Sequence, residues 1–309
     1  MAIRPADHGI FASAVAGGPA GAGYFAGGGV SGAYLSTVDR FLFANDSRTT
    51  LGTGLVAATY RLAGMASPTY GYFGGGRDPS ITDRVVKFLF SDDSRTTLGT
   101  GLQDATYALS AFASSTSGYF AGGQDVGGAT DVVDKFLFSD DSRSRLSTAL
   151  SANYWDSAGA ASSVAGYVFG GRGLGGRTSD VNRFLFSNDS NTVLSTGLST
   201  ARQGVAAMAS SVAGYCGGGT DTVDTVDRFL FSNDSRTTLG TGLSTQRVFL
   251  AGMASTLSGY FGGGDNDLAP VREVATVDKF LFADDSRTTL GTGLSAISKE
   301  LAGMSNLGA

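Results

Sequence analysis

Histidine, cysteine and tryptophan are almost missing from this sequence, and their scarcity excludes several kinds of function. The chain has one residue of each type, His8, Cys216 and Trp155. A copper site needs histidine ligands, and a serine or cysteine nucleophile needs a histidine base, so neither chemistry has the residues it requires. Only carboxylates remain as acid–base groups. No disulfide can form within the chain, and Cys216 is expected to be a small buried residue.

Long apolar runs and an excess of positive charge are lacking as well. There is no apolar run of about 18 residues, so we expect no membrane-spanning segment, and residues 1–19 lack the pattern of a secretory signal. The formal net charge is -5, whereas a nucleic-acid surface needs a basic stripe that displaces counterions from phosphate. We therefore expect no nucleic-acid partner and no membrane insertion.

Six near-copies of one segment of about 48 residues fill most of the chain. Each copy contains Gly-Tyr before a glycine cluster, and then Phe-Leu-Phe between a valine-rich stretch and an acidic turn. The Phe-Leu-Phe motifs begin at Phe41, Phe88, Phe136, Phe184, Phe229 and Phe280, and the tyrosines are Tyr24, Tyr72, Tyr119, Tyr167, Tyr215 and Tyr260. Short apolar runs between turn-forming residues predict four strands per copy, a to d, which in the second copy are 62–66, 72–75, 84–90 and 95–102.

The Phe-Leu-Phe strand predicts how these sheets pack. Phe41 and Phe43 point to one face of strand c and Leu42 to the other, so the sheet is apolar on both faces and must be covered twice. Four-stranded sheets that each pack between two others are typical of a propeller. The sequence therefore predicts an all-β fold, a six-bladed β-propeller with four-stranded blades.

The two ends of the chain complement each other. Residues 301–304 are a good copy of strand a with no strand b after them, whereas residues 14–19, before Tyr24, match strand a poorly. The C-terminal strand, 300–305, is thus expected to complete the first blade and close the ring, since closure removes two sheet edges. An open array with a truncated last unit is the alternative. The predicted organisation is an N-terminal arm, 1–20, which docks in an assembly, followed by repeats near 21–61, 62–108, 109–156, 157–204, 205–249 and 250–299.

These repeats resemble the kelch family of β-propellers, in which an apolar strand ends in a glycine pair and an aromatic strand and an acidic turn follow. The pairs here are Gly28-Gly29, Gly75-Gly76, Gly122-Gly123, Gly170-Gly171, Gly218-Gly219 and Gly263-Gly264. Leucines such as Leu51 stand where the family has tryptophan in strand d, so the chain resembles a divergent variant. It is also similar to Gly-rich repeat proteins associated with bacteriophages and cyanobacteria.

Acidic residues recur in the turns, and we interpret them as structural. In Asp46-Ser47-Arg48 the aspartate is expected to accept backbone N–H groups and the arginine to bridge to a neighbour, an anion site being the alternative. Adjacent pairs such as Asp92-Asp93 are expected to be solvated turn residues rather than acid–base catalysts. Asp265-Asn266-Asp267 is the best candidate for a calcium loop, but it lacks the spacing of a known one, so an ordinary polar loop is preferred. No catalytic residue, metal or cofactor is expected.

The differences between the copies point to a binding surface. Strand direction alternates, so the b–c loops and the d–a connections emerge on one face of the ring. This variable face carries most of the differences, in Arg77-Asp78-Pro79, 124–125, 172–177 and 265–272. Aromatic rings beside polar groups stack on sugars or hold a protein partner, although the tyrosines are alternatively caps of the blade cores. The candidate binding residues are Tyr60, Arg61, Tyr107, Tyr154, Trp155, Arg202, Arg247 and Lys299.

Two classes of function follow. The first is a non-enzymatic phage virion component that mediates assembly or host-surface attachment, with other virion proteins or a surface glycan as partners and a homo-oligomer allowed within the assembly. The second is a bacterial scaffold or lectin-like glycan-binding propeller, cytoplasmic or extracellular. An enzyme that uses only carboxylates ranks third.

Overall fold

The computed structural model describes residues 21–221, 223–267 and 272–306. Within these ranges the chain forms six four-stranded antiparallel sheets and no helix, so none is long and apolar enough to cross a bilayer. The predicted all-β architecture is confirmed.

The strands are numbered β1 to β30 along the chain, and each blade runs from strand a at the axis to strand d at the rim. Blade 1 is β30 (Ala302–Asn306), β1 (Ala22–Ala26), β4 (Val38–Leu42) and β5 (Ser47–Thr50); blade 2 is β6 (Ala63–Ala66), β7 (Tyr70–Gly74), β8 (Val85–Leu89) and β9 (Ser94–Thr97); blade 3 is β10 (Ser110–Ala113), β11 (Ser117–Ala121), β14 (Val133–Leu137) and β15 (Arg143–Arg145). Blade 4 is β16 (Ala158–Ala161), β17 (Ala165–Phe169), β20 (Val181–Leu185) and β21 (Asn191–Val193); blade 5 is β22 (Ala206–Ala209), β23 (Ala213–Gly217), β24 (Val226–Leu230) and β25 (Arg236–Thr238); blade 6 is β26 (Ala251–Ala254), β27 (Ser258–Gly262), β28 (Val277–Leu281) and β29 (Arg287–Thr289). Short hairpins extend three b–c loops: β2 (Gly29–Val30) with β3 (Ala33–Tyr34), β12 (Gln124–Asp125) with β13 (Gly128–Ala129), and β18 (Arg172–Gly173) with β19 (Gly176–Arg177).

The C-terminal strand closes the ring. β30 pairs antiparallel with β1, with Tyr24 opposite Met304. Each strand a contacts the strand a of the next blade, and β30 itself contacts both β26 and β6. The predicted closed ring is confirmed and the open array is excluded. The predicted N-terminal arm, 1–20, lies outside the described residues, as does His8.

Each blade is apolar on both faces because each packs between two neighbours. Phe41 is fully buried in a cluster with Tyr260 and Val277 of blade 6. Leu42, next in sequence, packs on the opposite side against a cluster that includes Phe88 of blade 2. Burial of a phenylalanine contributes about 1.5–3 kcal/mol, so the repeated motif supplies a core to every interface. Cys216 is fully buried in one of these clusters, as predicted, and burial raises the pKa of its thiol to about 12.

Small residues on strand a allow the six innermost strands to meet. A Cβ atom on Gly159 would lie 2.0 Å from the carbonyl oxygen of Ala111 in blade 3, and one on Gly303 would lie 2.1 Å from the carbonyl oxygen of Gly252. The alternation of small and large residues in strand a therefore follows from the close approach of the backbones at the axis.

Paired glycines join each blade to the connection that follows it. Gly75 and Gly76 have φ of 66° and 96°, and the N–H of Gly76 donates to the carbonyl oxygen of Thr106 at 2.8 Å. Such a left-handed backbone favours glycine. Five of the predicted pairs have this geometry, but in blade 1 the pair is Gly27 and Gly28, so the expected Gly28-Gly29 was displaced by one residue.

The acidic turns clamp neighbouring blades together. Asp93 of blade 2 accepts a hydrogen bond from the Tyr24 hydroxyl of blade 1 at 3.0 Å. Asp93 also pairs with Arg40 of blade 1. The other five interfaces use the sets Asp141 with Tyr72 and Lys87, Asp189 with Tyr119 and Lys135, Asp234 with Tyr167 and Arg183, Asp285 with Tyr215 and Arg228, and Asp46 with Tyr260 and Lys279.

The predicted roles of these turn residues need a correction. The backbone N–H of Ser47 donates to Asn45, not to Asp46, and Asp92 receives the equivalent bond in blade 2. Asp92 thus accepts the hydrogen bond of the turn, and Asp93 is left to contact blade 1. Asp93 is therefore an interface residue rather than a solvated one. The arginine does bridge to a neighbour, since Arg48 donates to the carbonyl oxygen of Gly293 in blade 6 at 2.9 Å.

Candidate functional site

A closed ring of six backbone hydrogen bonds fixes the d–a connections at the centre of the variable face. Within it, the N–H of Arg61 donates to the carbonyl oxygen of Glu300, and the N–H of Glu300 donates to that of Phe249, each at 2.8 Å. The ring continues through Gly204, Asp156 and Ala108 back to Arg61, and all six residues have positive φ. The rigid backbone here gives each neighbouring side chain a set direction.

The residue before each member of this ring stands at the same place in every blade. From blade 1 to blade 6 these residues are Lys299, Tyr60, Tyr107, Trp155, Gln203 and Val248. Most pair with the first residues of their own b–c loop, as when the N–H of Trp155 donates to the carbonyl oxygen of Arg172 at 3.0 Å and Arg172 returns a bond of 2.8 Å. Three consecutive blades, 2 to 4, thus carry an aromatic side chain, and we call Tyr34, Tyr60, Tyr107 and Trp155 together the aromatic arc.

Tyr34 was not among the predicted site residues. It lies at the end of the blade 1 hairpin, is 46% exposed, and stacks on Tyr60 with ring centroids 4.2 Å apart. Burial and then the hydrogen bond to Tyr34 raise the pKa of Tyr60, so its hydroxyl is neutral at physiological pH. A stack between residues of two different blades produces no pattern within a single repeat. The differing lengths of the b–c loops were therefore the only sequence feature that pointed to Tyr34.

Two exposed arginines lie beside the other rings of the aromatic arc. The Arg77 guanidinium carbon is 6.0 Å from the centre of the Tyr107 ring, and that of Arg172 is 5.7 Å from the centre of the Trp155 ring. Both distances suit cation–π attraction. Sequence reasoning placed both residues in variable loops without assigning them to the site.

Arg61 reaches across the backbone ring at the centre of the variable face rather than joining the exposed surface. It pairs with Glu300 at 2.6 Å and with Asp156 at 3.5 Å, and its guanidinium lies 5.1 Å from the Phe249 ring centre. Burial disfavours its charge, but the two carboxylates outweigh burial and raise the pKa of Arg61. Burial raises the pKa of Asp156 to about 6, which Arg61 only partly opposes and Glu300 reinforces. The sequence singled out Arg61 as a candidate binding residue and gave no sign of these partners.

Three other predicted binding residues are buried, so we leave them out of the surface. Tyr154 donates to Asp180 at 2.5 Å. Arg202 pairs with Asp227 at 2.6 Å and Arg247 with Asp278 at 2.5 Å, both with guanidiniums essentially without solvent exposure. These residues follow the alternative interpretation, in which a connection residue caps a blade core, because the d–a connection turns this position inward.

The acidic loop of blade 6 is engaged by cations of the protein itself. Lys299 donates to Asp265 at 2.8 Å and lies 3.3 Å from Glu273, and Arg272 pairs with both Asp265 and Asp267. Although burial opposes it, these contacts hold the pKa of Asp265 below its usual range. Across residues 21–221, 223–267 and 272–306 no group of three or more histidine, cysteine or acidic side chains is placed to hold a metal ion.

The opposite face, called the turn face because it carries the a–b and c–d turns, is less uniform than expected. Val164, Val212 and Leu257 occupy the same a–b turn position in blades 4 to 6 and are 63–75% exposed. Blades 2 and 3 have Thr69 and Thr116 there. The turn face thus has one exposed apolar residue in each of three successive blades, so the variable face does not hold all of the differences between blades.

The sequence matches no protein-family model and no curated protein. What the chain does must therefore be argued from its own geometry, and a β-propeller with these two surfaces fits a binding or scaffold role.

Proposed function

We propose that this chain is a divergent kelch-like propeller that acts without catalysis as a phage virion component, and that its aromatic arc attaches to a glycan on the host surface. The observation that carries the proposal concerns the position just before each member of the backbone ring. In the part of the chain that the structure describes, this position holds a partly exposed aromatic residue in blades 2 to 4 and Gln203, Val248 or Lys299 in the other three blades, although the backbone of the ring is sixfold. A structural requirement would repeat in every blade, whereas this feature does not.

The chemistry of the arc supports a sugar as its ligand. Aromatic rings offer flat apolar faces for the C–H side of a sugar. The tyrosine hydroxyls and the indole N–H add polar groups that can hydrogen-bond to its hydroxyls. The backbone hydrogen bonds of Trp155 and Asp156 fix the direction in which the Trp155 side chain leaves the backbone before a ligand arrives, which lowers the entropy lost on binding.

The turn face supports the assembly part of the proposal. Val164, Val212 and Leu257 lie on the side of the ring opposite the aromatic arc. A protein docked there leaves the arc free, so one propeller can join a particle and a glycan at the same time.

The use of the carboxylates supports a non-enzymatic role. Asp46 and its five equivalents clamp blades, and Asp227 and Asp278 neutralise buried arginines. These carboxylates stabilise the native ring. An acid–base catalyst, by contrast, needs a group that is free to exchange a proton with substrate.

Glycan-array binding by the wild type and by Trp155→Ala tests the binding role. We expect the wild type to bind and the variant to lose binding, because the variant removes the largest ring of the arc. Val193→Ala, at the rim of blade 4, is the control and should bind as the wild type does. Equal binding by the wild type and Trp155→Ala would contradict the proposal.

Mass spectrometry of purified phage particles, together with the neighbouring genes, tests the virion setting. We expect the chain in particles and flanking genes for portal, tail or capsid proteins. Metabolic neighbours and absence from particles would instead favour the bacterial scaffold or lectin, which would use the same arc.

A further inference from the structure

Two positive charges on the aromatic arc have no carboxylate partner. Across the described residues, neither Arg77 nor Arg172 forms a salt bridge, whereas on the same face Arg61 forms two and Arg84 and Arg177 form one each. Arg77 donates one N–H to the carbonyl oxygen of Pro79 at 3.1 Å, which leaves the rest of its fork open. These free charges are notable in a chain of net charge -5.

Both charges lie within cation–π distance of a ring of the aromatic arc. Arg77 of blade 2 stands over Tyr107 of blade 3, and Arg172 stands over Trp155 within blade 4. Burial raises the pKa of Asp156, and the positive charge of Arg172 partly opposes that rise without forming a salt bridge to the carboxylate. The direct partners of that carboxylate are Arg61 and Gln203. Each of these two rings therefore has one guanidinium without a salt bridge within 6.0 Å of its centre, and Tyr107 also has the paired Arg61 at that distance.

We propose that the ligand of the aromatic arc is an acidic oligosaccharide, with carboxylates on at least two sugar units. This inference rests on the proposed function, because it names the class of glycan that the same site takes. A sugar ring packs beside Tyr107 or Trp155 while its carboxylate accepts the guanidinium N–H groups. Arginine is suited to this role because its planar fork matches a carboxylate with two parallel hydrogen bonds.

Blades 5 and 6 offer the same ligand no equivalent site. Asp221, Asp265 and Glu273 lie there and are paired with Arg177, Arg272 and Lys299, and the corresponding positions carry Gln203 and Val248 instead of aromatic rings. Among the described residues of this face, an arginine without a salt bridge therefore lies beside an aromatic ring only in blades 2 to 4.

Isothermal titration with matched pairs of oligosaccharides tests this inference. The probes are tetramers of galacturonate, of mannuronate and of guluronate, and an α2,8-linked tetramer of sialic acid, each beside its carboxyl-reduced neutral form. We expect at least one acidic tetramer to bind at least about tenfold more tightly than its neutral form, since only the acidic form can accept charge-assisted hydrogen bonds from the two guanidiniums. Its affinity should fall as sodium chloride is raised.

Three variants separate this inference from the proposed function. Arg172→Gln should weaken the acidic tetramer about tenfold or more and leave the neutral form unchanged, whereas Trp155→Ala should weaken both. Arg95→Gln, at the rim of blade 2, removes an equal charge away from the arc and should change neither. Binding that needs Trp155 but is the same for acidic and neutral forms would overturn the inference and leave the proposed function intact. No binding by any tetramer would also overturn the inference, and array binding that survives Trp155→Ala would remove the proposed function with it.

Discussion

The carboxylate of Asp46 in blade 1 accepts a hydrogen bond from the hydroxyl of Tyr260 in blade 6 at 2.8 Å, although 214 residues separate them in the chain. Its second oxygen accepts a bond from Lys279, also at 2.8 Å. The interface at which the ring closes is therefore built from the same tyrosine, cation and aspartate as the five interfaces between blades that follow each other in sequence. Closure does not depend on β30 alone.

We expect Asp46→Ala to lower the free energy of unfolding by about 1.5–3 kcal/mol, because it removes a charge-assisted hydrogen bond and leaves a partly buried tyrosine hydroxyl unpaired. Urea unfolding followed by fluorescence measures the change. Thr49→Ala, exposed on strand d of the same blade, should change stability by no more than about 0.5 kcal/mol. An Asp46→Ala protein as stable as that control would show that the clamp contributes nothing.

Arg247→Met should destabilise the ring by up to about 3–5 kcal/mol, because the buried Asp278 would keep its charge and lose its buried partner, with only Arg287 left at 3.5 Å. Blade 2 suggests how to recover the loss. There the equivalents of Ser244, Asp278 and Arg247 are Val56, Val86 and Thr59, so the polar group has been replaced as a whole by a mostly apolar one.

The triple variant Ser244→Val, Asp278→Val and Arg247→Thr is therefore expected to unfold at a higher urea concentration than Arg247→Met. Buried ion pairs are often replaceable by apolar residues without loss of stability. If the triple variant is the less stable of the two, the blade 2 arrangement does not transfer and depends on its own neighbours.

Gly159→Ala tests the close approach of the innermost strands. The new Cβ would meet the carbonyl oxygen of Ala111 at 2.0 Å, and a backbone atom cannot move aside as a side chain can. We expect a loss of about 1–3 kcal/mol. Gly240→Ala is the matched control, since no atom lies within 4 Å of its added Cβ, and it should be neutral or slightly stabilising. Equal stabilities would mean that the axis has room for the methyl group.

The repeat allowed the fold to be predicted because each blade restates the same constraints. Phe41 and Leu42 show that strand c is covered on both faces, and the unpaired strand a at the C-terminus shows where the ring closes. The aspartate of the clamp was misassigned because its partners belong to the preceding blade, and one repeat does not reveal which blade a turn reaches.

The candidate site was predictable only in part. The position of Trp155 followed from the d–a connection, since ring topology alone places that connection on the variable face. Adjacent residues then turn in opposite senses: Trp155 is partly exposed, whereas Tyr154 just before it is buried against Asp180. That difference arises from the positive φ of Asp156 and the ring of backbone bonds, which no sequence pattern had indicated.

Asp156, a member of the backbone ring at the centre of the variable face, is expected to make the free energy of unfolding decrease as pH rises. Its pKa is about 6 in the native ring, against 3.8 for an ordinary aspartate, because burial disfavours the carboxylate. Between these two values the native state binds more protons than the unfolded state, so the free energy of unfolding decreases with pH until the native group has ionised. The full effect is roughly 3 kcal/mol.

Asp156→Asn removes this titration, so the wild type minus variant difference in unfolding free energy should decrease from pH 4 to about pH 6.5 and then stay level. Urea unfolding at half-unit steps of pH measures this difference.

Asp284→Asn on the turn face provides a control of opposite sign. Hydrogen bonds from Ser286 hold the pKa of Asp284 below its usual range, so its contribution is present at neutral pH and is lost on acidification. Asparagine already fills this turn position in blades 1, 4 and 5, so the variant should fold. A difference for Asp156→Asn that is constant across the range, or that increases with pH, would show that Arg61 compensates the buried charge in full.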